Sequence, residues 1–156
     1  MSNCSANKPV PKYARESEEV ALLADRDRLT SVIENVIRNA QDATTKEGHI
    51  EVRLCRQDEE AIITVEDDGC GMDSEVMSRI FEPFFTTKEV GVGTGLGLSV
   101  SYFIVTNNHN GSLSAESPPG QGAIFTIRLP LTDPLAFTTN GKNGNRPVSK
   151  ENQRVG

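Results

Sequence analysis

Tryptophan is missing, tyrosine occurs only twice, and aromatic residues make up 5% of the 156 positions. Three cysteines are too few and too scattered for a disulfide framework, and Cys4, Cys55 and Cys70 form neither a CxxC pair nor a cluster with histidine. Free thiols in a reducing cytosol are therefore expected, with no zinc site. No apolar run approaches 18 residues and no signal-peptide pattern opens the chain. A spanning helix and secretion are thereby excluded as expectations, which predicts a cytoplasmic segment without membrane contact. Basic residues are in the minority: the net charge is −6, so nucleic acid is not an expected partner. The glycines fit no Walker loop, since no GK[ST] follows them, and no GxGxxG follows a strand.

What remains is an ordinary globular balance, 36% hydrophobic and 24% charged, in a length that suits one domain. Residues 1–18 mix Ser, Asn, Pro, Lys and Glu and read as a flexible arm. EVALLA at 19–24 reads as a short strand. Leu29, Val32, Ile33, Val36, Ile37, Ala40 and Ala43 then recur at helical spacing, with Asp25 or Asp27 as N-cap and KEG at 46–48 as the stop. HIEVRLCR and AIITVED alternate as strands around the turn QDEE, predicting a hairpin. A short helix over Ser74–Ile80 with Asp73 as cap follows, then an irregular stretch, then a buried helix in LGLSVSYFIVTNN. GSLSAES and AIFTIRLP form two closing strands around PPGQG. Residues 19–132 are thus expected as one α+β domain, a two-layer sandwich with helices on one face of a mixed, largely antiparallel sheet. Residues 133–156, polar and Asn/Gly-rich, read as a disordered tail.

Three features carry chemistry. At 100° per residue Asn39 falls just outside the apolar stripe of the first helix, and Asn35 and Asp42 continue the same edge. VEDDGCGM runs three acids into Gly69 and Gly71, setting a carboxylate, Asp67, beside bare backbone that admits a flat ring. GVGTGLGLS places Gly91, Gly93, Gly95 and Gly97 ahead of a helix start, a pattern suited to phosphate. Each has a plainer alternative: a solvated polar face, an acidic turn and a flexible loop. FEPFFTTK, between the second and third, reads as a hydrophobic plug that carries Lys88 towards the phosphates. His49 and His109 read as structural or solvated.

Taken in order, these stretches resemble the catalytic and ATP-binding domain of bacterial sensor histidine kinases, in the ATPase superfamily that includes gyrase, mismatch-repair proteins and a heat-shock chaperone. ENVIRNAQDA is similar to the N box, VEDDGCGM and GVGTGLGLS to the two glycine boxes, and FEPFFTTK to the phenylalanine box. The short lid and FEPFFTTK look most like the nitrogen-regulation type. The likeness implies a Bergerat-type fold that binds ATP with Mg²⁺, the metal on the side-chain oxygen of Asn39. It implies that Asp67 accepts from the adenine amino group and that Gly93, Gly95 and Gly97 hold the triphosphate. Residues Met72 to about Val92 would form the lid. Asn35, Ala43, Gly69, Gly71, Gly91, Thr94, Leu96, Leu98 and Thr126 complete the implied nucleotide contacts, and Lys88 and Arg38 join Asn39 in the catalytic set.

The chain departs from the family at two positions. Related ATP hydrolases carry a Glu where Asn35 stands, and Glu34 lies about 100° round the helix, which predicts poor hydrolysis. Many kinases carry a basic residue where Asp42 stands. The resemblance implies γ-phosphoryl transfer to a histidine on a dimerisation domain, in a longer parent or another chain, and then to a response regulator. By itself the chain is expected to bind Mg-ATP without labelling itself. The alternatives are a serine kinase of the anti-sigma-factor kind and a non-catalytic module that uses nucleotide to gate partner binding.

Overall fold

The computed structural model describes residues 8–15, 20, 22, 24–89 and 91–131. Five strands, β1 (Lys12–Arg15), β2 (Ile50–Gln57), β3 (Glu60–Asp67), β4 (Ser112–Glu116) and β5 (Ala123–Pro130), form one sheet in the order β1-β2-β3-β5-β4. β1 runs parallel to β2 and every other pairing is antiparallel. The β2–β3 hairpin closes on Asp58 and Glu59, with Asp58 at φ 52°, a left-handed backbone that an aspartate tolerates.

Helix α1 (Arg26–Ala43) starts where expected, because the Asp25 side chain accepts from the backbone N–H of Arg28 at 3.2 Å. It ends at Ala43, before KEG. Helix α2 (Ser74–Arg79) is capped by Asp73, which accepts from the Val76 N–H at 2.8 Å. Helix α3 (Gly97–Phe103) passes into a π-helical turn, Ile104–Asn108, where a single helix was expected. His109 closes that turn: its Nδ1 lies 3.0 Å from the Ile104 carbonyl, and its Nε2 accepts from the Asp25 N–H at 3.2 Å. One tautomer serves both bonds, so this histidine joins the two helices and is structural.

The helices lie on one face of the sheet, and that interface is the core. Val32, Val36 and Ala40 of α1 are buried against Val52, Ile63, Val65, Phe125 and Ile127. Cross-strand register stacks Val52, Val65 and Phe125 in one row and Leu54, Ile63 and Ile127 in the next. Among the described residues no helix is long and apolar enough to cross a membrane.

Two expectations are corrected. The stretch read as a flexible arm contains β1, which extends the sheet by pairing Lys12 with Glu51 and Tyr13 with Val52. Four residues without apolar periodicity hide a strand whose partner is distant in sequence. Val20, Leu22 and Ala24, within the expected strand 19–24, are not strand, and the other three residues of that stretch lie outside the described residues. So does the expected tail at 133–156.

Ile127 is fully buried between Ile63 and Leu113. Ile127→Ala is expected to cost about 2–5 kcal/mol of unfolding free energy in a urea titration; a loss well below that range would place the core elsewhere.

Candidate functional site

Between the end of β3, the edge of α1 and the start of α3 lies a cavity of about 790 Å³. That volume suits a drug-sized or nucleotide-sized ligand. One wall is the polar edge of α1. Asn35, Arg38, Asn39, Asp42 and Ala43 all line the cavity, while Val32, Val36 and Ala40 turn into the core. The helix thus divides by its own period into an apolar stripe and an amide-and-carboxylate rim.

The opposite end is set by the three acids. Strand alternation sends Glu66 outward, within 3.9 Å of Arg53, and turns Asp67 inward at 4% exposed. Asp68 accepts from the His49 N–H at 2.8 Å and fixes the exit of the chain. Asp67 sits between Ile50 and Ala123 in the register. Its Oδ1 accepts from the Gly69 N–H at 2.9 Å, and the Ala123 N–H also donates to its carboxylate. Burial raises the Asp67 carboxyl above its ordinary value, and these two backbone bonds only partly oppose that rise.

Met72 and Gly71 continue the lining from this end, and Gly93, Thr94, Gly95, Gly97 and Leu98 supply the side nearest α3. Gly95 has φ 66°, and a Cβ there would stand 2.5 Å from the backbone of Phe84. Glycine at this point lets the loop pack backbone to backbone, with the Phe84 N–H donating to the Gly95 carbonyl at 2.9 Å. Lys88 lines the cavity too, and its ammonium is paired with Asp42. The phenylalanines do not act as one plug. Phe81 packs on the core and lies 5.1 Å from the Tyr102 ring, Phe85 lines the cavity beneath the Arg79 guanidinium, and Phe84 is 75% exposed.

Four expected contacts lie outside the lining. Thr126 stands in a row with Thr64 and Ser114 on the face of the sheet opposite the core row of Phe125, so strand alternation turns it away. Gly69 packs against the end of α1: a Cβ there would stand 2.6 Å from the Ala43 carbonyl oxygen. Leu96 is the residue before α3, its N–H held by Thr94 Oγ1 at 3.3 Å. Gly91 is exposed in the loop. Val76 and Thr86 of the expected lid also line the cavity, and Cys70, Ser117, Ala123 and Phe125 line it without having been singled out. Ala123 and Phe125 follow from pairing β5 beside Asp67 and Val65; nothing in the sequence marked Ser117, whose Oγ donates to the Gly122 carbonyl at 2.7 Å.

The cavity can therefore take a planar base at a buried carboxylate and a charged tail along an amide rim. Asn35 and Asn39 offer hard oxygen donors along one edge, beside the lysine-paired carboxylate of Asp42, a donor set that fits Mg²⁺. Asn35 is also fixed by its Nδ2, which donates to the buried Ser101 Oγ at 3.4 Å.

Residues 24–133 match the family described as histidine kinase-, DNA gyrase B-, and HSP90-like ATPase. The chain belongs to that family, and its domain is of the ATP-binding catalytic type found in two-component sensor histidine kinases. It is 41% identical over 117 residues to the signal transduction histidine-protein kinase AtoS of Escherichia coli (strain K12), covering 74% of this chain and 19% of AtoS. The catalytic domain of histidine kinase ThkA has the same fold, with a TM-score of 0.70, 32% identity and 78% of each chain covered. Full-length ShkA, in complex with AMPPNP, matches at a TM-score of 0.69 and 28% identity over 78% of this chain and 25% of ShkA. The chain thus spans about a fifth of AtoS and about a quarter of ShkA.

The raised Asp67 carboxyl has a thermodynamic sign. Its folded form binds a proton more tightly than the unfolded chain, so its contribution to stability falls as pH rises from the ordinary value through the raised one. Asp67→Asn keeps an acceptor for Gly69 and removes the buried charge. Its Tm is expected to exceed that of the natural chain at pH 7, with the gap closing below the ordinary aspartate range. A lower Tm for the variant at pH 7 would contradict this.

Proposed function

We propose that this domain binds ATP with Mg²⁺ and positions the γ-phosphoryl group for transfer to a histidine on a dimerisation domain. The observation that carries the reading is the meeting of Asp67 with the Asn35–Asn39–Asp42 edge in one cavity. The complex of ShkA with AMPPNP, a protein with the same fold, supports a nucleotide as occupant.

Asp67 is the specificity group. Its free acceptor capacity matches the exocyclic amine of adenine, whereas guanine presents a carbonyl at the same position. Asn39 would hold the metal and Asn35 would lie beside it at the phosphate end, and Mg²⁺ would supply charge neutralisation at the phosphate oxygens. Lys88 and Arg38 line the same cavity and add positive charge. Ala43, Gly71, Met72 and Leu98 shape the base end, and Gly93, Thr94, Gly95 and Gly97 follow the phosphates. The lid from Met72 to about Val92 closes over them.

Transfer is favoured over hydrolysis for a chemical reason. Asn35 occupies the place of the base in related hydrolases; an amide cannot take a proton from water, and its Nδ2 is already donated to Ser101. Glu34 is exposed and does not line the cavity. The attacking nucleophile then comes from the acceptor histidine, and this domain contributes position and charge. A response regulator receives the phosphoryl group next; ThkA has been crystallised with the response regulator TrrA. Within the sensor kinases, the nitrogen-regulation type is the finer reading.

Titration with a fluorescent ATP analogue tests the site. Asp67→Asn puts an N–H against the adenine amine and is expected to weaken binding about 10-fold, the scale of one unpaired buried partner at ~1–3 kcal/mol. Asn39→Ala is expected to weaken binding in magnesium but not in EDTA. Equal loss under both conditions, or no nucleotide binding by the natural chain, would overturn the reading. Incubation with γ-labelled ATP is expected to leave the chain unlabelled.

A further inference from the structure

The lid and the segment ahead of β1 meet at one carboxylate. Asp42 lies three residues beyond Asn39 on the cavity edge of α1, and its two oxygens take different lysines. Oδ2 receives Lys88 from the lid, and Oδ1 receives Lys8 from the stretch before β1. That stretch is held against α1 at this point: Pro9 is buried, and its carbonyl accepts from Gln41 Nε2 at 3.2 Å. The side chains are graded in exposure, 26% for Asp42, 32% for Lys88 and 54% for Lys8. Burial alone would raise the Asp42 carboxyl; the hydrogen bonds and charges of the two lysines outweigh it and hold the carboxyl below its ordinary value.

Asp42 and a bound triphosphate therefore seek the same ammonium. Asp42 faces the cavity that Lys88 lines, where the proposed phosphates would lie, and one cation cannot lie against both at full strength. When phosphate draws Lys88 away, Asp42 would be left charged and partly buried, which is costly without a partner. Lys8 supplies that partner.

We propose that Asp42 is a positioning residue for Lys88, competing with the nucleotide phosphates for its ammonium, and that Lys8 relaxes this hold and so couples the segment ahead of β1 to the lid. The inference rests on the nucleotide reading of the cavity and adds to it a control of affinity by the upstream chain.

The test is a cycle of titrations on the whole chain with Mg-ATP and with adenosine, which has the base but no phosphate. Asp42→Asn is expected to tighten ATP binding about 2- to 5-fold, the scale of a partly exposed ion pair. That gain disappears in a Lys88→Ala background, shrinks at high salt, and is absent with adenosine. Asp42→Glu restores the natural affinity. Lys8→Ala is expected to weaken ATP binding by a similar factor, with no effect once Asp42 is Asn. Thermal melts of each variant verify folding. Unchanged or weaker ATP binding in Asp42→Asn, or a Lys8→Ala effect that persists undiminished without the Asp42 carboxylate, would overturn the relay while leaving the nucleotide site intact. Failure of the natural chain to bind ATP or adenosine would overturn the site reading and the relay with it.

Discussion

A buried carboxylate at the end of a central strand is the constraint on which the rest depends. Asp67 is 4% exposed; burial raises its carboxyl above the ordinary value, and the backbone N–H groups of Gly69 and Ala123 only partly oppose that rise. Burying such a group costs free energy that its hydrogen bonds only partly offset. Its two backbone partners also lie at junctions of the fold. Gly69 packs backbone against the end of α1, and Ala123 is the first residue of β5, which pairs with β3 along its length. The acid at the strand end thus stands where the sheet and the helix that form two walls of the cavity meet.

The other walls follow from periodicity and close approach. One helix presents Val32, Val36 and Ala40 to the core and Asn35, Asn39 and Asp42 to the cavity, so the residues that stabilise the fold also orient the site. The loop ahead of α3 is pinned to the phenylalanine stretch through Gly95 and Phe84, backbone to backbone. Between these anchors the chain from Met72 to about Val92 carries Lys88, whose charge is shared with α1 through Asp42. A helix edge, a strand end and a loop therefore converge on one volume, each held by contacts outside it.

Much of this was legible because it is local. The α1 stripe, the Asp25 and Asp73 caps, the β2–β3 hairpin and the inward Asp67 follow from spacing and capping chemistry. What was not legible depends on distant partners. β1 shows no alternation, and only its pairing with β2 makes it a strand. Thr126 was placed by resemblance, yet the register with Thr64 turns it to the far face. Gly69 and Gly91 were grouped with the phosphate- and base-lining glycines, but one serves helix packing and the other lies exposed in the loop. The ion pairs at Asp42 join residues 34 and 46 positions apart, beyond any local pattern.

The family relation defines a class of ATP-binding domain, and the proposed reading takes Asn35 to favour transfer over hydrolysis within it. The account nevertheless stands or falls on base recognition at Asp67. Its most direct measurement compares the natural chain's affinity, in magnesium, for ATP and for inosine triphosphate, which differs at the ring position facing the carboxylate by a carbonyl in place of the amine. The account predicts that ATP binds about 10-fold tighter or more, as a lost partner for a buried acceptor requires. Equal affinity for the two nucleotides would contradict it.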